Sequence, residues 1–202
     1  SQYNIDKIDE YMNTWIGMPC KVRYMTVDTG ANHPFLFTDV EPYMHNTTKS
    51  NARIGVANKN AGAMNTSIKG GLHTYVLNLA AYNNIAPITD FSIPQATTVP
   101  ELSKELLSVE QFFRYGKHNI LLRQPDYEDG ISELYRPAKL GVPEARIPLL
   151  YDYYGKGGWN LYYIPAKSVN KNDIELLSKH MEDMISDRGP TQCDACRRSI
   201  MN

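Results

Sequence analysis

In VPELSKELLSVEQFFRYG (residues 99–116), Leu102, Leu106, Val109 and Phe113 recur at the spacing of one helix face. Pro100 suits a first turn, Glu101 and Glu105 suit its positive end, and Gly116 suits a stop. The pattern predicts a helix over 99–116. Its position in the middle of the chain then divides everything else into a segment before it and a segment after it.

Before it, Ile5, Ile8, Met12, Trp15 and Ile16 keep helical spacing from an Asn4 cap to Gly17, which predicts a short N-terminal helix. Strands are expected at 20–27, 34–40, around 52–58 and at 73–82, separated by Gly and Asn clusters. After it, strands are expected at 118–124 and 132–140, the latter interrupted by Pro137. RIPLLYDYY and WNLYYIP then flank Gly155-Lys156-Gly157-Gly158 as a hairpin. A closing helix is expected over 170–187, capped by Asn170 or Asn172 and stopped by Gly189-Pro190. The expected organisation is an N-terminal helix (1–18), one α+β domain (19–189) and a flexible tail (190–202) with little to bury.

Bulk composition narrows the class. With 202 residues, 42% hydrophobic and 21% charged, the chain is of ordinary globular type. No apolar run is long enough to span a bilayer, and SQYNIDKIDEY lacks the pattern of a secretory leader, so an intracellular location is expected. Cys20 stands alone and Cys193 and Cys196 form a single CDAC, which is no disulfide framework. CDAC supplies half of a zinc site and lacks the other half, so no metal is expected. Asn and Tyr are abundant, a bias we associate with bacteriophage proteins.

Charge is unevenly spread. The chain has 22 acids and 21 bases, yet residues 42–89 carry Lys49, Arg53, Lys59 and Lys69 with no Asp or Glu. A polyanion such as single-stranded nucleic acid accounts for that gap; a small-residue hairpin region that merely lacks acids also does. Binding a single strand needs cations along a phosphate path and flat rings for bases. The candidates are Lys21, Arg23 and Tyr24 on the first strand, then Lys49, Arg53, Lys59, Lys69, His73 and Tyr75. Alternation places Lys21 with Arg23, and His73 with Tyr75, on common faces. Gly70 and Gly71 beside Lys69 would let a phosphate approach the backbone. Tyr151, Tyr153, Tyr154, Trp159, Tyr162 and Tyr163 crowd one hairpin, where cross-strand packing is the stronger reading. His33, His45, His73, His118 and His180 form no catalytic motif, and Asp126, Glu128, Asp129 and Glu133 read as a solvated acidic loop. No enzyme activity and no cofactor are expected.

Four strands and a helix, twice over, resemble the Whirly fold of single-stranded nucleic-acid-binding proteins. Ile68-Lys69-Gly70-Gly71-Leu72 is similar to the Lys-Gly-Lys-Ala-Ala-Leu stretch of that family, without its second Lys and Ala pair. Tyr163-Ile164-Pro165-Ala166-Lys167 is similar to the Ile-Pro step before the family's second helix. The resemblance covers about residues 20–187. It implies an α+β fold of two successive ββββα units, antiparallel sheets packed with helices, behind the short N-terminal helix. It further implies a sequence-tolerant, non-enzymatic protein binding single-stranded RNA or DNA, with RNA favoured by the jumbo-phage members, and a homo-oligomer without a membrane role. The alternative is a structural or assembly protein of a phage particle.

Overall fold

The computed structural model describes residues 3–28, 30–55, 62–81, 85–108, 119–121, 132–151, 161–188 and 198–201. Helix α1 (Ile5–Ile16) forms where its apolar spacing predicts: the Asn4 side chain accepts from the N–H groups of Asp6 and Lys7, and Gly17 closes it at φ 66°. Helix α2 (Ile174–Arg188) follows a 3-10 turn capped by Asn170.

Between the helices the chain is mostly β. In order it forms β1 (Lys21–Asp28), β2 (Phe35–Leu36), a 3-10 segment (Thr38–Tyr43), β3 (Met44–Lys49), β4 (Arg53–Gly55), β5 (Ala63–Asn65), β6 (Ile68–Leu77), β7 (Ile88–Asp90), β8 (Ile93–Thr98) and β9 (Glu105–Ser108). Then come β10 (Asn119–Leu121), β11 (Ser132–Arg136), β12 (Ala145–Tyr151) and β13 (Tyr162–Val169). Six strands close a barrel in the order β13-β1-β9-β2-β8-β6, and β6 returns to β13 through Val76 opposite Ala166. Strands β12, β11 and β10 continue outward from β13, and β3 lies on the other side of β6.

The two ββββα units expected from the sequence are therefore not formed. Glu105–Ser108, read as the middle of a helix, is a barrel strand running parallel to β1, with Met25 opposite Glu105 and Asp28 opposite Ser108. β2 also runs parallel to β8, so these are not simple antiparallel sheets. The remainder of that expected helix, 109–116, lies outside the described residues. The physical cause of the misreading is Glu105. Its place in the pattern suits the positive end of a helix, but it is 1% exposed. The Arg23 guanidinium pairs with it and with Asp39 (2.7 Å), and the Phe37 N–H donates to it at 3.0 Å. A charge neutralised in this way can occupy an interior strand that shows no alternation.

Two cores result. Met25, Leu36, Leu72, Val76, Ala96, Leu107 and Ile164 belong to one centred on the barrel. The other joins its outer wall to the helices, through Ile8, Met12, Trp15, Tyr75, Leu77, Val169 and Leu177. Asp9 of α1 pins this layer: it pairs with the wholly buried Lys167 of β13 (3.2 Å) and accepts from the Tyr24 hydroxyl of β1 (2.6 Å). Of the expected flexible tail, residues 198–201 pack here. Ile200 is fully buried, its carbonyl accepts from the Asn4 N–H, and Met201 bridges to Tyr3.

Candidate functional site

β6 runs unbroken past two neighbours that each carry one extra residue. On β3, Asn46 and Thr47 occupy the space opposite Gly70, between the pairs His45–Gly71 and Thr48–Lys69. On β8, Pro94 and Gln95 lie opposite Gly71, between the pairs Gly70–Ala96 and Leu72–Ile93. Such bulges bend a strand and disrupt its ladder. Asn46 takes φ 51°, a left-handed conformation that asparagine accepts more readily than most residues. The two distortions open a cleft of ≈ 360 Å³ whose floor is Lys69-Gly70-Gly71 and whose walls are Asn46, Thr48, Pro94 and Gln95. Apart from Pro94 its side chains are polar or cationic, and none is acidic.

The glycines serve the site in a different manner from the expected phosphate approach. A Cβ at Gly70 would lie 2.9 Å from the His45 carbonyl oxygen, and one at Gly71 would overlap the His45 ring. Gly71 is the seat on which that imidazole lies. His45 in turn stacks on His73, ring centroids 4.7 Å apart and planes tilted by 30°. Burial, the His73 ring and Lys171 together hold His45 below the ordinary histidine pKa. His73 Nδ1 lies 3.4 Å from Ser92 Oγ, which donates to Asp90 Oδ1. Beyond the cleft floor, His33 Nε2 meets Thr97 Oγ1 at 2.8 Å; burial and then Lys69 depress its pKa.

The nine residues expected to bind a single strand are divided by the fold. Arg23 is buried in its carboxylate pair, and burial pushes its guanidinium below its usual pKa. Lys21 does share its face, as alternation requires, and pairs with the same Asp39 at 3.1 Å. Tyr24 is 45% exposed, but its hydroxyl is held by Asp9 and its ring packs edge-on against Tyr163. Tyr75 shares a face with His73, but helices cover it: it is 6% exposed within the outer core, so no base can stack on it. Burial raises its phenol to about 12. Lys59 lies outside the described residues. Lys49, Arg53 and Lys69 remain with His73 around β3, the β4–β5 hairpin and β6. Lys49 is paired with Ile68 and so leaves the ladder on the face opposite Lys69. Lys49 and Lys69 thus flank the β3–β6 ladder from its two faces.

Among the described residues Lys49, Arg53 and Lys69 form no ion pair, whereas Lys21, Arg23, Arg146 and Lys167 do. His45, Asn46 and Lys171 join this region without having been singled out in the sequence. Their one legible signal was the Gly70-Gly71 pair, which marks close approach of something without naming it. Elsewhere, Tyr151 and Tyr162 pack across β12 and β13 with centroids 4.8 Å apart, the cross-strand role expected of that hairpin. No group of three or more His, Cys, Asp or Glu among the described residues can hold a metal, and Cys193 and Cys196 lie outside them. No described helix is long and apolar enough to cross a membrane. Compared with known protein families, curated proteins and solved structures, the chain matches none.

Proposed function

We propose that the chain is a non-enzymatic, sequence-tolerant protein that binds single-stranded nucleic acid, RNA in preference to DNA, along the β3 edge. The observation that carries this reading is the pair of bulges opening a cleft over Lys69-Gly70-Gly71 whose lining contains no acid. Among the described residues no carboxylate pairs with Lys49, Arg53 or Lys69, so a phosphate backbone would meet positive charge there. Bulges beside a cleft are a recurrent way of re-aiming side chains at a ligand.

The test is fluorescence anisotropy with labelled single-stranded RNA, single-stranded DNA and duplex over a salt series. The K49Q/R53Q/K69Q variant should bind all single strands about equally more weakly, with the salt slope reduced by about 2, roughly 0.7 for each phosphate contact. Absence of salt-sensitive binding by the unmodified chain refutes the reading. A second reading, an assembly protein, is favoured by the apolar tip after β11: Leu140 is wholly exposed and Val142 is 42% exposed. Leu140→Asp should then shift the sedimentation of an oligomer and leave oligonucleotide affinity alone.

A further inference from the structure

The cleft lies beside a histidine pair that is costly to build. Gly71 gives up a side chain in a strand interior, which weakens a strand, and the space is filled by the His45 ring. The ring is thereby laid against His73 at a centroid distance of 4.7 Å. Two imidazoles this close cannot both take up a proton without repelling each other. The groups facing them add to the difficulty. Lys171, in the 3-10 turn before α2, bears electrostatically on His45, and Lys69 lies further along the same face of β6. Asp90 of β7 is the acid on this side, and Ser92 stands between it and His73, taking the Asp90 carboxylate through both its N–H and its hydroxyl. Protonation of both rings at once is therefore opposed, and an incoming anion would reverse that opposition.

We propose that the stacked His45–His73 pair is a phosphate-contact site that takes up a proton when a nucleic-acid phosphate docks beside the cleft. This rests on the single-strand-binding reading above. A neutral imidazole offers one N–H; the imidazolium offers two and a full charge, and an adjacent phosphate stabilises that form. By linkage, an anion that raises the proton affinity of the pair is itself bound more tightly as pH falls. The site thus adds a contact that grows below neutral pH to three that do not change.

The experiment uses the full chain and a fluorescein-labelled oligouridylate of about 20 nucleotides, long enough to cover a single-strand site. Affinity is measured from about pH 8 to about pH 5.5, the range across which histidine titrates. Affinity of the unmodified chain should rise on the order of tenfold, the effect of one added charge-assisted contact. His45→Gln and His73→Gln should flatten the rise, and Gly71→Ala should flatten it with both histidines still present, because the His45 ring is displaced. His180→Gln should keep the full rise, since His180 packs against Gly17 on α1, away from the cleft. NMR titration of the histidine ring protons gives an independent readout: the bound oligonucleotide should move the midpoint of His45 or His73 upward. Salt-sensitive binding that is unchanged with pH overturns this inference and leaves the binding function standing. The same rise in His45→Gln, His73→Gln and the unmodified chain also overturns it. Failure to bind at any pH overturns both.

Discussion

Arg23→Met is the substitution that separates a structural cation from a binding one. Arg23 is 2% exposed and Glu105 is 1% exposed, and the two join β1 to β9 inside the barrel. Methionine fills much of the arginine volume, so the cavity contribution is small. What changes is charge. Asp39 keeps Lys21 at 3.1 Å and is half exposed, so it can be solvated. Glu105 retains only the Phe37 N–H among its described partners and becomes a buried carboxylate with no cation. Removing one member of a buried pair costs about 3–5 kcal/mol. With a urea m-value of about 2–3 kcal/mol/M, the unfolding midpoint should fall by about 1–2 M. Glu105→Gln should cost less, because Asp39 still neutralises Arg23 and an amide oxygen can accept from Phe37. The double variant Arg23→Met/Glu105→Gln should be more stable than Arg23→Met alone, since the orphaned charge is gone. Oligonucleotide affinity should be unchanged throughout. A loss below about 1 kcal/mol for Arg23→Met would be the behaviour of a solvated surface pair and would refute the interior placement. So would a double variant whose losses simply add.

Three further outcomes are expected. Tyr75→Ala should cost about 3–5 kcal/mol of stability while leaving the affinity of folded molecules unaltered, and in Tyr75→Phe the phenol titrating near 12 should disappear from the ultraviolet titration. Ile200→Ala should cost about 2–5 kcal/mol by thermal or urea unfolding, because the side chain is fully buried against α1. His33 and His45 are both held below their unfolded value, chiefly by burial, so their protonation opposes folding. Their contribution is intact above about pH 6.5 and is lost as pH falls below it; melting curves of His33→Gln should depend less on pH in that range than those of the unmodified chain.

How much of this was legible follows from where the deciding interactions lie. α1 and α2 are local objects: an apolar stripe with a cap at Asn4 or Asn170, and for α1 a stop at Gly17, all within a few turns. Strands β1, β11 and β12 were readable from their apolar runs. β8 was not, because IPQATT looks polar while four of its six residues are buried against neighbours on both sides. β9 was hidden by Glu105, whose partner Arg23 lies far away in the chain. Closure of the barrel, and the parallel pairing of β1 with β9, have no local signature. For the site, cation identity was legible and availability was not. Nothing about Arg23 or Lys69 as residues says that one is spent on a carboxylate and the other pairs with none among the described residues. The bulges opposite Gly70 and Gly71 arise from a register mismatch among three strands, which no single segment displays.

Strand β13 is the last stave of the barrel to be synthesised and the one that touches both ends of the open sheet. It pairs with β1 over Lys21–Thr26 on one side and with β6 over His73–Val76 on the other. On a ribosome adding about 5–20 residues per second, β6 therefore waits roughly 5–20 s for the Ala166 that belongs opposite Val76. During that interval β1 and β6 present unpaired backbone and the future interior of the barrel faces solvent, a combination that invites pairing with other nascent chains. The ladders that finally close it join segments about ninety residues apart for β6–β13 and about 140 apart for β1–β13, so folding is slow by topology. High expression should accordingly favour inclusion bodies over misfolded soluble product, and slower translation or a lower growth temperature should raise the soluble yield.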